Sequence, residues 1–295
     1  MITVSKLVSQ VKSGNFRELA RALTLVENEL DGSAELLRSL RNTDTPIIGI
    51  TGPPGAGKST LANGLINYWS LKGKSVAVLA IDPTSPFNLG SLLGDRIRMA
   101  EQFTKKNVFI RSIATRGSLG GLSGKTIEMT DVLQSAGFDY ILVETVGVGQ
   151  SEVEIAGLAD LSIVVLVPES GDEIQNIKSG LMEIADIFVV NKSDREGADT
   201  FANNLKNIVH QKSTTIPILK TAANRAEGIT ELIEAIENYT ASGNDRRSFL
   251  LAEKAWKLIQ QGRMKNIDKK RLLEDITSKY QNPDFNLYSF VESKI

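Results

Sequence analysis

Residues 52–60, GPPGAGKST, constrain this chain more than any other stretch. They match G-x-x-x-x-G-K-[ST], with Gly52, Gly57, Lys58 and Ser59 at the fixed positions. The apolar run PIIGIT precedes them, and a helix is expected to begin near Ser59. Between a strand and a helix, the loop Gly52, Pro53, Pro54, Gly55, Ala56 and Gly57 can curl until several backbone N–H groups converge on one spot. The helix N-terminus adds its positive end there. The expected occupant is a nucleotide's phosphates. Lys58 would reach the β- and γ-phosphates, Ser59 would offer its hydroxyl to Mg2+, and Thr60 belongs to the same cradle. The competing reading is a tight turn with a chance lysine, and the correct flanks on both sides weigh against it.

Seven short apolar runs alternate with longer amphipathic stretches from Pro46 to about Thr240. They read PIIGIT, SVAVLAID, NVFIRSIA, YILVETV, LSIVVLVPE, DIFVVNK and IPILKTAA. Continuous β-branched runs mean strands buried on both faces. Their alternation with helices predicts an α/β fold with a doubly wound, mostly parallel sheet. Before it, Leu7, Val11, Phe16, Leu19, Ala20, Leu23, Val26 and Leu30 recur at helical spacing, broken by Gly14 and by Asp31 and Gly32. After the polar linker ASGND, helical spacing resumes through Leu250, Ala255, Leu258 and Ile259, and again around Leu272, Ile276 and Tyr280. The expected domains are an N-terminal helical extension (1–44), a nucleotide-binding domain (45–242) and a C-terminal helical extension (243–295).

Composition removes whole classes of function. The 34 basic and 35 acidic side chains of the 295 residues leave a net charge of -1, which argues against a general nucleic-acid binder. With no cysteine there are no disulfides and no thiolate metal sites, and a single histidine, His210, rules out a multi-histidine site within one chain. No apolar run approaches the ~18 residues of a membrane span, and no signal-like apolar stretch follows the start, so a cytoplasmic protein is expected. His210 should be exposed near a helix end. Trp69 and Trp256 should pack helices, and the basic run RMKNIDKKR (263–271) should be a solvated helical face.

The run FVVNKSD (188–194) selects the base. A carboxylate at Asp194 can accept from both the ring N–H and the exocyclic amine of guanine. Adenine presents an unprotonated ring nitrogen there, and an unpaired buried polar group costs about 1–3 kcal/mol, so GTP is favoured over ATP. Asn191 should brace this loop, and the stem of Lys192 can cover the base. Thr221, Ala222 and Ala223, after the last strand, could supply a backbone N–H to the guanine carbonyl. For the metal, Glu144 ends the strand YILVE, in direct or water-bridged reach of Mg2+. Asp82, at the end of the second strand, and Asp95, in LLGDRIRM, compete for the same shell. A helix-start charge is the alternative for Asp95.

The segment VETVGVGQSE (143–152) reads as a switch, but Val148 stands after Gly147 where a water-positioning glutamine is familiar. Basal hydrolysis should therefore be slow, because phosphoryl transfer depends on positioning and charge stabilisation. Arg111 and Arg116 bracket RSIATR and could supply charge. Gln150 is a weaker candidate for positioning water.

The motifs GPPGAGKST, AIDPTSP, RSIATRGSLGGLS, VETVGVGQSE and NKSD occur in the order and approximate spacing of the MeaB/ArgK/MMAA group of P-loop GTPases, which this chain resembles densely over about 46–228. The group resembles the metallochaperone GTPases more than the Ras-like ones. The nickel-inserting relatives carry His-rich or Cys-containing sites, which this composition excludes. The resemblance implies a GTP/GDP-binding chaperone, with Mg2+, for a separate adenosylcobalamin-dependent acyl-CoA mutase, most often methylmalonyl-CoA mutase. It implies gating of cofactor delivery, protection of the mutase and a homodimer; a cobalamin adenosyltransferase is a second candidate partner. It also makes SGDEIQNIKSG (170–180) a third switch loop. There Gln175 and Lys178 would share a helical face, Lys178 neutralising developing charge and Gln175 orienting water or meeting the partner. A solvated surface is the alternative for both. A P-loop kinase, the older label of this family, and a nucleotide-independent scaffold are the competing functions.

Overall fold

The fold is a computed structural model that describes residues 3–41, 43–82, 99–114, 124–145, 155–169, 180–210, 216–239, 243–264, 266–282 and 285–294. Three helices come first: α1 (Val4–Lys12), α2 (Phe16–Glu27) and α3 (Ser33–Ser39). Then follow β1 (Ile47–Thr51), α4 (Lys58–Leu71), β2 (Val76–Asp82), β3 (Val108–Ala114), α5 (Gly124–Gln134), β4 (Tyr140–Glu144) and β5 (Leu161–Leu166). The series continues with α6 (Leu181–Ile184), β6 (Ile187–Asn191), α7 (Ala198–His210), β7 (Ile218–Thr221) and α8 (Ile229–Glu237). It closes with α9 (Gly243–Met264), α10 (Lys269–Lys279) and α11 (Leu287–Glu292).

All seven apolar runs form strands of one sheet in the order β3-β2-β4-β1-β5-β6-β7, with every described pairing parallel. β1 is central, and each of its residues is buried, as a strand covered on both faces requires. Its neighbours β4 and β5 leave in opposite directions, so the carboxyl end of β1 is the point where open α/β sheets bind ligands. One face of the sheet packs α4 and α8 through Leu61, Leu65, Ile66, Trp69, Leu232 and Ile233. The other face packs α1, α2, α3, α5 and α7 in a single apolar cluster.

The N-terminal helices thus share a core with the sheet. Leu19, Leu23 and Val26 of α2 are fully buried, each burial worth about 1.5–3 kcal/mol. Phe16 seats the start of α2 against Phe109 of β3 and Phe138, with ring centroids 5.4 and 5.8 Å away. The helix begins where Asn15 caps it, the side chain accepting from Arg17 N and Glu18 N. Gly14 and Gly32, both at positive φ, mark the two breaks expected from the sequence.

The chain divides into two compact units, Met1–Leu251 and Ala252–Ile295. Within the second, α10 is capped by Asp268, and Phe285 and Phe290 contact each other near Tyr280. The helix α11 has no counterpart in the sequence reading, because its six residues are too short for a periodic signal. Trp69 is fully buried, as expected, whereas Trp256 is 65% exposed among the described residues. The described residues of the basic run 263–271 are mostly exposed but straddle the break between α9 and α10, so they form no single helical face. His210 is exposed at the last residue of α7. Among the described residues no helix is long and apolar enough to cross a membrane.

Candidate active site

The loop after β1 leaves the sheet through a backbone only glycine tolerates. Gly52 has φ +135, and a Cβ there would lie 2.0 Å from the carbonyl oxygen of Val165 on β5. Gly57, at φ +87, is the N-cap of α4, and no side chain caps that helix. Its first-turn N–H groups are therefore left for an acceptor from outside the helix, which an anion supplies best. A Cβ on Gly57 would approach Nδ2 of Asn191 to 2.3 Å, so this glycine also makes room for a residue of a distant loop.

Lys58 is buried, and its Nζ donates to the carbonyl oxygens of Gly52 (2.8 Å) and Pro53 (3.0 Å). The ammonium is thus held within the loop, where phosphate oxygens can replace neutral carbonyls as charged acceptors. The Ser59 hydroxyl donates to Oε1 of Glu144 at 2.6 Å, and both residues are buried. Glu144 ends β4 in register with Ile50 of β1. Thr145 fastens that end, its N–H donating to Ile50 O (3.0 Å) and its hydroxyl lying 3.0 Å from that of Thr51. Octahedral Mg2+ at about 2.1 Å from its ligands sets neighbouring oxygens about 2.9 Å apart. The Ser59–Glu144 pair, hard oxygen donors already 2.6 Å apart, fits such an ion after a small opening.

Of the other metal candidates, Asp82 closes β2 opposite Ala114, with its side chain outside the described residues, and Asp95 lies outside them entirely. Arg116, Gly147, Val148, Gln150, Gln175 and Lys178 also lie outside the described residues. Arg111 is described and is committed elsewhere. Its guanidinium pairs with Glu27 of α2 at 2.5 Å and bonds the hydroxyl of Thr24 at 3.3 Å, so it anchors the N-terminal helices rather than serving phosphates.

The base loop is tied to the phosphate loop by one buried amide. Asn191, the last residue of β6, donates from Nδ2 to Ala56 O at 2.8 Å. Its Oδ1 accepts from the Thr221 hydroxyl (3.0 Å) and from Ala223 N (3.2 Å). Lys192 then adopts a left-handed backbone at φ +55, and Ser193 N donates to Thr221 O at 2.9 Å. The N–H groups of Ala222 and Ala223 are both engaged within the protein, by Glu227 O at 3.1 Å and by Asn191. A guanine carbonyl arriving at this loop would share those protons rather than meet open ones.

Asp194 carries a partner that sequence reading missed: Arg225 approaches its Oδ2 to 3.2 Å. The only signal in the sequence was a cation two positions beyond Ala223. Beside them Glu169, after β5, forms an ion pair with Arg195. The Arg195 hydrogen bond, aided by the nearby charge of Lys192, holds the Glu169 carboxyl below its ordinary range. Phosphate loop, Ser59–Glu144 pair and base loop all lie at the carboxyl ends of the parallel strands β1, β4 and β6, with β5 between β1 and β6.

The family described as "Methylmalonyl Co-A mutase-associated GTPase MeaB" matches residues 19–278. A protein of Pyrococcus abyssi (strain GE5 / Orsay) is 46% identical over 282 residues, covering 92% of this chain and 82% of its own. The methylmalonic aciduria type A homolog, mitochondrial, of Mus musculus is 35% identical over 288 residues, covering 88% of this chain and 69% of its own. The crystal structure of an LAO/AO transport system kinase superposes with a TM-score of 0.68 at 24% identity, covering 99% of this chain and 97% of that one, a likeness of fold. With the phosphate loop, the buried hydroxyl–carboxylate pair and the base loop in place, this chain belongs to the MeaB family of P-loop GTPases.

Proposed function

We propose that the protein is a guanine-nucleotide switch that serves an adenosylcobalamin-dependent acyl-CoA mutase, gating cofactor delivery and protecting the enzyme. The observation that carries the nucleotide part is the single network joining phosphate loop and base loop through Asn191, which holds the two loops in one fixed register. The mutase part is supported by the family's description. Methylmalonyl-CoA mutase is the leading partner.

In this reading Lys58 exchanges the carbonyls of Gly52 and Pro53 for β- and γ-phosphate oxygens and offsets their charge as the terminal bond breaks. Ser59 and Glu144 would hold Mg2+, which supplies further neutralisation of the phosphates when bound. Asn191 keeps the base loop in register with the phosphate loop, and Asp194 reads guanine. Val148 cannot orient water, so the chain alone turns over slowly and the partner completes the site, with Gln175 and Lys178 its candidate contacts. The second unit exposes Trp256, Ile259, Leu273, Tyr280 and Tyr288 by more than half. We assign these exposed apolar side chains to the contact of a homodimer in the cytoplasm.

Single-turnover hydrolysis of GTP, with ATP as control, tests the proposal before and after addition of the acyl-CoA mutase from the same organism. The expected result is slow GTP turnover that rises with the mutase. Turnover indifferent to the mutase would remove the partner from the reading and leave the GTPase.

A further inference from the structure

We propose that Arg225 is a specificity-determining residue, a positioning cation that fixes the Asp194 carboxylate so that its two oxygens meet the two adjacent N–H donors of guanine together. The inference rests on Asp194 being the base-reading carboxylate. A carboxylate can turn about its side-chain bonds, and only one orientation offers both oxygens to two neighbouring donors. The 3.2 Å contact of Arg225 Nη2 with Oδ2 sets that orientation. The contact joins one nitrogen to one oxygen and is longer than the ~2.7–2.9 Å usual for charge-assisted bonds. A carboxylate has about four acceptor positions, so the pairing leaves room for both guanine donors.

The segment that delivers Arg225 is held at each end. Arg225 N donates to Ala222 O at 2.8 Å, and Ala222 and Glu227 exchange backbone hydrogen bonds of 3.1 and 3.3 Å. Gly228 turns at φ +73, where a Cβ would lie 2.1 Å from Lys220 O. Asn191 grips the same turn by accepting from Ala223 N. One amide therefore fixes both the loop carrying Asp194 and the turn carrying its counter-ion. Arg195, the other arginine nearby, is paired with Glu169. Among the described residues, Arg225 is thereby the cation paired with Asp194.

Loss of Arg225 should weaken the bidentate contact more than a single one. Guanine offers two donors, whereas hypoxanthine lacks the 2-amino group and offers one. The measurement is equilibrium titration of the full-length protein with GDP and with IDP, for wild type, Arg225→Gln, Arg225→Lys and Asp194→Asn. For Arg225→Gln the preference for GDP over IDP should fall by about threefold, the scale of a partly exposed ion pair, with an unchanged melting temperature. Arg225→Lys keeps the charge and should retain most of the preference. An unchanged preference in Arg225→Gln, or tighter GDP binding, would overturn the proposal, the latter by making Arg225 a competitor of the base. Asp194→Asn separates the two ideas. If it leaves the preference intact, the base assignment fails and the proposal with it; if it lowers the preference while Arg225→Gln does not, only the role of Arg225 falls.

Discussion

Asn191→Ala is the substitution whose cost can be worked most directly from the structure. Asn191 is 2% exposed and makes three hydrogen bonds, to Ala56 O, the Thr221 hydroxyl and Ala223 N. Truncation leaves the Ala56 carbonyl without that donor and the Ala223 N–H without that acceptor, while the Thr221 hydroxyl can rotate to another partner. At about 1–3 kcal/mol per orphaned buried group, two such groups cost roughly 2–6 kcal/mol. In a body of this size each kcal/mol lowers the melting temperature by about 2–4 °C, so a drop on the order of 10 °C is expected without nucleotide. Thermal unfolding can be followed by the fluorescence of Trp69, which is fully buried in the first unit, against an exposed background from Trp256. Thr221→Val, which removes a single hydroxyl donor, should cost about 1 kcal/mol. Asn191→Asp keeps the acceptor but turns a carboxylate oxygen toward the Ala56 carbonyl, and should be at least as damaging as alanine. A melting temperature for Asn191→Ala within about 2 °C of wild type would refute the reasoning, because the buried amide would then be dispensable.

Three further outcomes follow from named contacts. Gly52→Ala would place a Cβ 2.0 Å from Val165 O at φ +135; the backbone must move, so we expect a loss above about 2 kcal/mol in urea unfolding and no measurable GTP binding. Ser59→Ala should fold, and its GTP affinity should become nearly the same in Mg2+ and in EDTA, whereas the wild type binds more tightly with Mg2+ in the same titration. Burial opposes ionisation of Asp139, but hydrogen bonds from Ser75 and the Lys74 ammonium outweigh it and hold the carboxyl below its ordinary range. Its contribution to stability is thus complete above the unfolded pKa of about 3.9 and lost as pH falls through the folded value. Asp139→Asn should flatten the acid limb of a stability–pH curve and leave the alkaline limb unchanged.

The strands were legible because burial on both faces writes itself as unbroken runs such as LSIVVL and IFVVN, and each run became a strand of the sheet. The phosphate loop was legible because its backbone excludes side chains at fixed places, and Gly52 and Gly57 show the contacts responsible. Pairings between distant loops left no such trace. Nothing in NKSD announces Arg225, since an ion pair needs only one long side chain from any segment that folds nearby. Arg111 misled for the same reason: proximity in sequence to a glycine-rich segment suggested phosphates, whereas β3 directs it to Glu27 of α2. The backbone donors at Ala222 and Ala223 were legible as a motif, but their partners Glu227 and Asn191 were not. Trp256 shows the limit of helical spacing, which places a residue on a helix without saying what covers it.

In the proposed reading one site, built from Lys58, the Ser59–Glu144 pair and the Asn191–Asp194 loop, hydrolyses guanine nucleotide. The decisive measurement is phosphate release from GTP and from ATP, followed in parallel for wild type and Lys58→Ala. The wild type should release phosphate from GTP but not ATP, and Lys58→Ala none above background. Equal release from ATP would contradict the base loop, and activity surviving in Lys58→Ala would contradict the phosphate loop.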